Sequence, residues 1–146
     1  MRALLLTLHI LGACVWTGGH LVLAITVLPR ALARRDAHIV RAFEEPFERI
    51  GIPALVVQVL TGANSLASQA PVSRWLAFGN ALEARIGVKL VLLGLTVALA
   101  LHARLRVIPR LDDSNLRTLA AHIVIVTALA VALVVVGTSF QTGGLF

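Results

Sequence analysis

Five side chains able to bind a ligand or move a proton fall inside long apolar runs of this chain: His9, His20, Lys89, His102 and His122. An imidazole or ammonium group in hydrocarbon is costly unless something coordinates, pairs or hydrogen-bonds it. The first two histidines share the stretch LHILGACVWTGGHLVL, residues 8–23, with Trp16 and the pair Gly18 and Gly19. At about 100° per residue, His9, Trp16 and His20 fall within about 40° of one another, with Ala13 on the same stripe. At about 1.5 Å per residue, the two imidazoles stand about 16 Å apart along the helix. A stripe carrying two histidines belongs against the interior of a bundle. The glycines beside it would let another helix, or a planar cofactor, approach the backbone.

Histidines on facing helices at matched depth are the usual axial ligands of haem b, whose large apolar macrocycle suits a space between helices. Two haems, one in each half of the bilayer, would make an electron path across it. Copper is the competing occupant. Cu(I) prefers thiolate and thioether ligands, and this chain has one cysteine, Cys14, and one methionine, the initiator Met1. A methionine-rich copper conduit is therefore disfavoured, while a site of three histidines stays open. A proton relay of His and Lys is a third reading, and a structural role with every imidazole satisfied by hydrogen bonds is a fourth. No phosphate-binding glycine loop, catalytic serine motif or close Cys/His zinc pattern is present, which sets those chemistries aside.

The elements that must position these residues follow from composition. The chain has 146 residues, of which 58% are hydrophobic and 14% charged, with a mean hydropathy of +0.91. Soluble domains carry about 25% charged residues. The excess forms four apolar runs, about 3–28, 50–67, 86–103 and 118–138, each read as a membrane span. The second is the most interrupted, by Pro53, Gln58 and Gly62. The expectation is an all-α, integral membrane four-helix bundle that occupies residues 1–146 as one domain. LGAC, residues 11–14, resembles the end of a lipoprotein signal. The apolar run nevertheless continues to Leu28, so the first span is expected to be a retained helix.

The net charge of +6 is distributed as topology rather than as a nucleic-acid surface. Arg30, Arg34, Arg35, Arg41 and Arg49 lie between the first and second spans, and Arg104, Arg106, Arg110 and Arg117 between the third and fourth. Arg2, Arg74 and Arg85 are left for the other side. The positive-inside rule then puts both termini outside and the Arg-rich segments in the cytoplasm of a bacterial-type inner (plasma) membrane. His9 and Lys89, the one lysine in the chain, fall in the outer half. His20, His102 and His122 fall in the inner half. His20 and His122, matched in depth and far from water, form the favoured ligand pair. His102 is a further ligand or a residue of the wet membrane edge, and Lys89 could instead reach outward to the headgroups. The charged stretch after Pro29, RALARRDAHIVRAFEEPFERIG, reads best as a solvated cytoplasmic loop, with a helical extension as the alternative. Trp75 and Phe78 beside Arg74 suit an interfacial anchor. Asp113 or Ser114 can cap the fourth helix.

LHILGACVWTGG resembles the first-helix signature of CopD-type copper-resistance membrane proteins, a histidine followed by tryptophan and a small Gly pair. VKLVLLGLTVALALHARLRVIPRL resembles the same family's third helix, with a lysine near its start and a basic, Pro-containing exit. Both features are also similar to the related HemJ-type protoporphyrinogen oxidases. In those proteins a first-helix His and a third-helix Lys are required and haem b is bound. The resemblance implies roles for His9, Trp16 and Lys89. The fourth span departs from the HemJ pattern in lacking an Asn-Glu-x-Pro-like element. His102 stands where many CopD-type chains have Asn, and His122 near where they often have Glu, so both departures add imidazole.

The combined expectation is a membrane protein that binds haem b, or alternatively copper, and transfers electrons from a donor such as quinol. His20, His122, His102 and His9 would be metal ligands. His9 and Lys89 would form a second, outer site, as ligands or as partners of a haem propionate, and Trp16 would pack against the cofactor or lie between the two centres. Membrane lipids are its expected surroundings, nucleic acid is not an expected partner, and homo-oligomerisation and enzymatic (oxidoreductase) activity stay open.

Overall fold

The computed structural model describes residues 1–112 and 115–142 and is helical throughout, with no strand among those residues. Helix α1, Arg2–Val22, passes through a π turn, Leu23–Val27, into α2, Leu28–Arg34. Helix α3 is His38–Ala67 and α4 is Ala81–His102. A second π turn, Ala103–Val107, and a 3-10 turn, Ile108–Arg110, follow α4 and lead to α5, Leu116–Thr142. Four rods, Arg2–Arg34, His38–Ala67, Ala81–Arg110 and Leu116–Phe140, are long and apolar enough to cross a membrane. They run alternately up and down. His9 meets Thr61, and Arg85 meets Ser139, at the end where the chain enters and leaves. Arg104 meets Glu48, and Arg41 donates to the carbonyl of Leu111, at the opposite, Arg-rich end.

The two π turns share a cause. Proline has no N–H and its ring collides with the carbonyl four residues earlier. Pro29 excludes the carbonyl of Ile25, the middle residue of Leu23–Val27, and Pro109 excludes that of Leu105, the middle residue of Ala103–Val107. One wider turn absorbs each collision, so both rods continue instead of ending.

The charged stretch after Pro29 is helical, not a solvated loop. Pro29 to Arg34 extends the first rod, Arg35 turns the chain with φ 52°, and α3 begins at His38. Burial explains this. Ala31 and Val40 are fully enclosed, and with Ala37 they join Leu23, Leu28, Val107, Leu111, Leu116, Leu119 and Ile123 in an apolar cluster at the Arg-rich end. Helix α3 then runs on through Pro46 and Pro53, and Gln58 and Gly62 do not interrupt it either. Each internal proline costs about 3 kcal/mol, and neighbouring helices offset that by packing along the full rod.

At the opposite end, Asn80 caps α4 by accepting from the N–H of Glu83 at 2.9 Å. Glu83 in turn accepts from Gly79 N–H at 2.8 Å and from Arg74 Nε at 2.7 Å. Trp75 donates its indole N–H to the carbonyl of Ala70, and the ring of Phe78 occupies the space a side chain at Gly87 would need. The expected cap at Asp113 or Ser114 and the stretch after Thr142 lie outside the described residues. Leu4, Ile25, Leu60, Leu95 and Val124, each about half exposed or more, represent an apolar outer surface that suits lipid rather than water.

Candidate functional site: the membrane histidines

The interface between α1 and α3 places three of the expected residues. Its backbones come very close: a side-chain carbon at Gly12 would sit 3.0 Å from the carbonyl of Ala54, and one at Gly19 would sit 2.0 Å from the ring of Phe47. Gly62 lies against the imidazole of His9 in the same way. The stripe of His9, Trp16 and His20 therefore faces inward. Trp16 is 7% exposed and lies where the rods converge, packed among Val126, Ala130, Leu55, Leu99 and Ala100. Its indole N–H is buried with no hydrogen-bond partner among the described residues. The His20 ring leans on Trp16 at 4.4 Å between centroids and meets the Phe47 ring edge-on at 5.7 Å.

Hydrogen bonds fix which nitrogen of each ring carries the proton. A carbonyl can only accept. Hence His20 Nδ1–H donates to the carbonyl of Trp16, and His122 Nδ1–H to that of Thr118, each at 2.9 Å. Thr61 gives its single hydroxyl hydrogen to the carbonyl of Val57 at 2.6 Å, so it accepts from His9 Nδ1–H at 2.9 Å. His122 Nε2, left as an acceptor, takes a hydrogen bond from His102 Nδ1–H at 2.9 Å. In their neutral forms all four rings have Nδ1–H anchored. Nε2 of His9, His20 and His102 keeps its lone pair without a partner among the described residues. This tautomer, held by an oxygen or a neighbouring ring, is the one metal-binding histidines use.

His102 and His122 are brought together, but not as two ligands facing one ion. Their rings lie nearly parallel, 15° apart, at 5.0 Å between centroids. A metal bonds imidazole nitrogen at about 2 Å, so two nitrogens on opposite sides of one ion stand about 4 Å apart. At 2.9 Å, His102 Nδ1 and His122 Nε2 share a proton instead. The open coordination position of the pair is His102 Nε2, on an exposed ring. His20, the partner expected for His122, is turned toward Trp16 and Phe47, although its backbone carbonyl accepts from Thr127 on α5 at 3.3 Å. The bond to its own helix at Trp16 holds the ring on the α3 side.

His9 and Lys89 share one end of the bundle, near enough for the ammonium to repel a protonated imidazole. The Lys89 ammonium lies 5.4 Å from the centre of the Phe140 ring, and the Arg85 guanidinium lies 5.8 Å from it. Among the described residues, no group of three or more His, Cys, Asp or Glu is disposed to hold a metal ion. A three-histidine site is thus not assembled there. Cys14 is exposed on α1, away from the imidazoles' inward stripe.

Several contributors were not legible as site residues. Thr61, Thr118 and Phe47 look like ordinary helix residues until their partners are known. The pairing of His102 with His122 had a signal in their shared level, the inner half of the third and fourth spans. Compared with family models, with curated proteins and with solved structures, the chain gives no match. What the fold and site define is a class: a multi-pass, all-α membrane protein with oriented imidazoles at two levels.

Proposed function

We propose that the chain is a haem b-binding electron-transfer protein of a bacterial-type inner membrane, with both termini outside. The observation that carries this reading is the common orientation of the four imidazoles, with each Nδ1–H anchored and Nε2 left bare on His9, His20 and His102. The donor chemistry fits haem iron. Imidazole suits iron, copper and zinc alike, but a bare ion must collect several ligands from the protein. Haem would bring four nitrogens of its own and ask the protein for one or two. Haem b supplies a one-electron couple when bound.

The chain's own residues then have separate tasks. His102 Nε2 offers the lone pair, while His122 and Thr118 hold the His102 ring in its tautomer and raise its basicity. His20 and His9 offer further lone pairs along α1. Trp16, with its indole N–H unsatisfied, offers a hydrogen bond to an acceptor at the bundle centre. Lys89 has no carboxylate partner among the described residues and would neutralise a propionate. A quinol-type donor fits a redox site reached from the lipid.

Copper tolerance or uptake is the second reading, supported by the same imidazoles. An optical spectrum with metal analysis of the purified protein decides between them. Sharp reduced-minus-oxidised α bands are the expected result. A colourless protein with stoichiometric copper would establish the second reading, and a colourless, metal-free one would overturn both.

A further inference from the structure

The wall between α4 and α5 carries a feature that the histidines do not explain. Near the end where the chain enters and leaves, Ala84, Arg85, Val88, Val136 and Ser139 line an open groove of about 170 Å³ whose surface is almost wholly apolar. Arg85 is the one charged residue lining it, and it stands immediately before the apolar run 86–103. Its guanidinium is held in place by two carbonyls: Nε donates to Ala81 at 3.2 Å and one Nη to Ser139 at 2.8 Å. A guanidinium has five N–H donors, so three are left.

No carboxylate pairs with Arg85 or with Lys89 among the described residues, whereas nearby Arg74 is neutralised by Glu83 at 2.7 Å. Both cations lie over the ring of Phe140, so this end of the α4/α5 wall has an unbalanced positive charge beside an apolar slot. We infer that the groove is a binding site for an anionic phospholipid, its acyl chain lying along Val88 and Val136 and its phosphate accepting from Arg85. Two free N–H groups on a fixed guanidinium suit the bidentate pairing that phosphate favours. Lys89, one turn deeper, adds to the field that draws the anion in. A neutral lipid would fill the slot but leave the charge unanswered.

Native mass spectrometry of the detergent-purified protein, titrated separately with phosphatidylglycerol and with phosphatidylcholine of the same acyl chains, tests this. The expected result is retention of phosphatidylglycerol in preference to phosphatidylcholine, weakened about tenfold in Arg85→Gln, as loss of a charge-assisted hydrogen bond implies. Val88→Trp, which obstructs the groove from its exposed wall and leaves both cations in place, should also lower retention. Equal retention of the two lipids, or an unchanged preference in Arg85→Gln or in Val88→Trp, would overturn the inference. So would inorganic phosphate competing as well as phosphatidylglycerol, because the site would then read an anion alone. Because Lys89 is also the counter-charge proposed for a propionate, the titrations are run on haem-free and haem-containing protein, and the Arg85 and Val88 effects are expected in both.

Discussion

A hydrogen bond between His9 and Thr61 illustrates how the imidazoles are made tolerable at the residue scale. Thr61 is 7% exposed and already donates to Val57, so its role toward His9 is that of acceptor. Thr61→Val keeps the shape and leaves the half-buried His9 N–H only the carbonyl of Gln58, which costs at most about 1–3 kcal/mol. Replacing both partners by apolar groups, His9→Leu with Thr61→Val, should recover most of that loss. Thermal unfolding of the wild type, the two single variants and the double variant measures the coupling, and strictly additive losses would mean that the bond does not form. The sequence marked His9, His20, His102 and His122 as unusual because of where they lie. It could not show their partners, because a serine or threonine hydroxyl, or a carbonyl four residues back, is present almost everywhere on a helix.

Prolines and glycines govern geometry at the scale of the helix. Pro29 and Pro109 each displace one carbonyl and produce one π turn, at Leu23–Val27 and Ala103–Val107. The second begins directly after His102. The prolines were plain in the sequence, but whether such a residue ends a helix or only widens it depends on packing beyond. Here Val107 and Leu111 are buried, so the rod is held together. For the same reason the amphipathic stretch 38–49 joined α3 instead of forming a loop. Gly18 and Gly19 looked equivalent in the sequence and are not. A side-chain carbon at Gly19 would collide with Phe47, while nothing lies within 4 Å at Gly18. Gly18→Ala should be neutral or stabilise by up to about 1 kcal/mol. Gly19→Ala should destabilise by about 1–3 kcal/mol as the Phe47 ring is displaced. Urea or thermal unfolding in detergent would reveal equal effects if the α1/α3 contact were looser than described.

For the whole molecule, hydropathy was enough to indicate four spanning helices, because in a bilayer every backbone polar group must be paired within its own segment. The charge asymmetry predicts the orientation of the bundle, with the Arg-rich end inside. A cysteine-accessibility experiment tests it. In a Cys14→Ser background, Ser73→Cys should react in intact cells with a membrane-impermeant thiol reagent, and Asp36→Cys should react only after the cells are opened. The reverse pattern would invert the bundle. What the sequence could not decide was which histidines converge, since depth alone left three candidates on one level. Contacts across the helices settled that His102 meets His122 and that His20 turns to Phe47. The central claim is that these oriented imidazoles hold haem b. It is tested most directly by the reduced-minus-oxidised optical spectrum of the purified protein beside its His102→Ala variant. Sharp α bands in the wild type, lost or strongly shifted in the variant, are the predicted result; a wild-type protein without haem absorbance, or a variant with an unchanged spectrum, would contradict it.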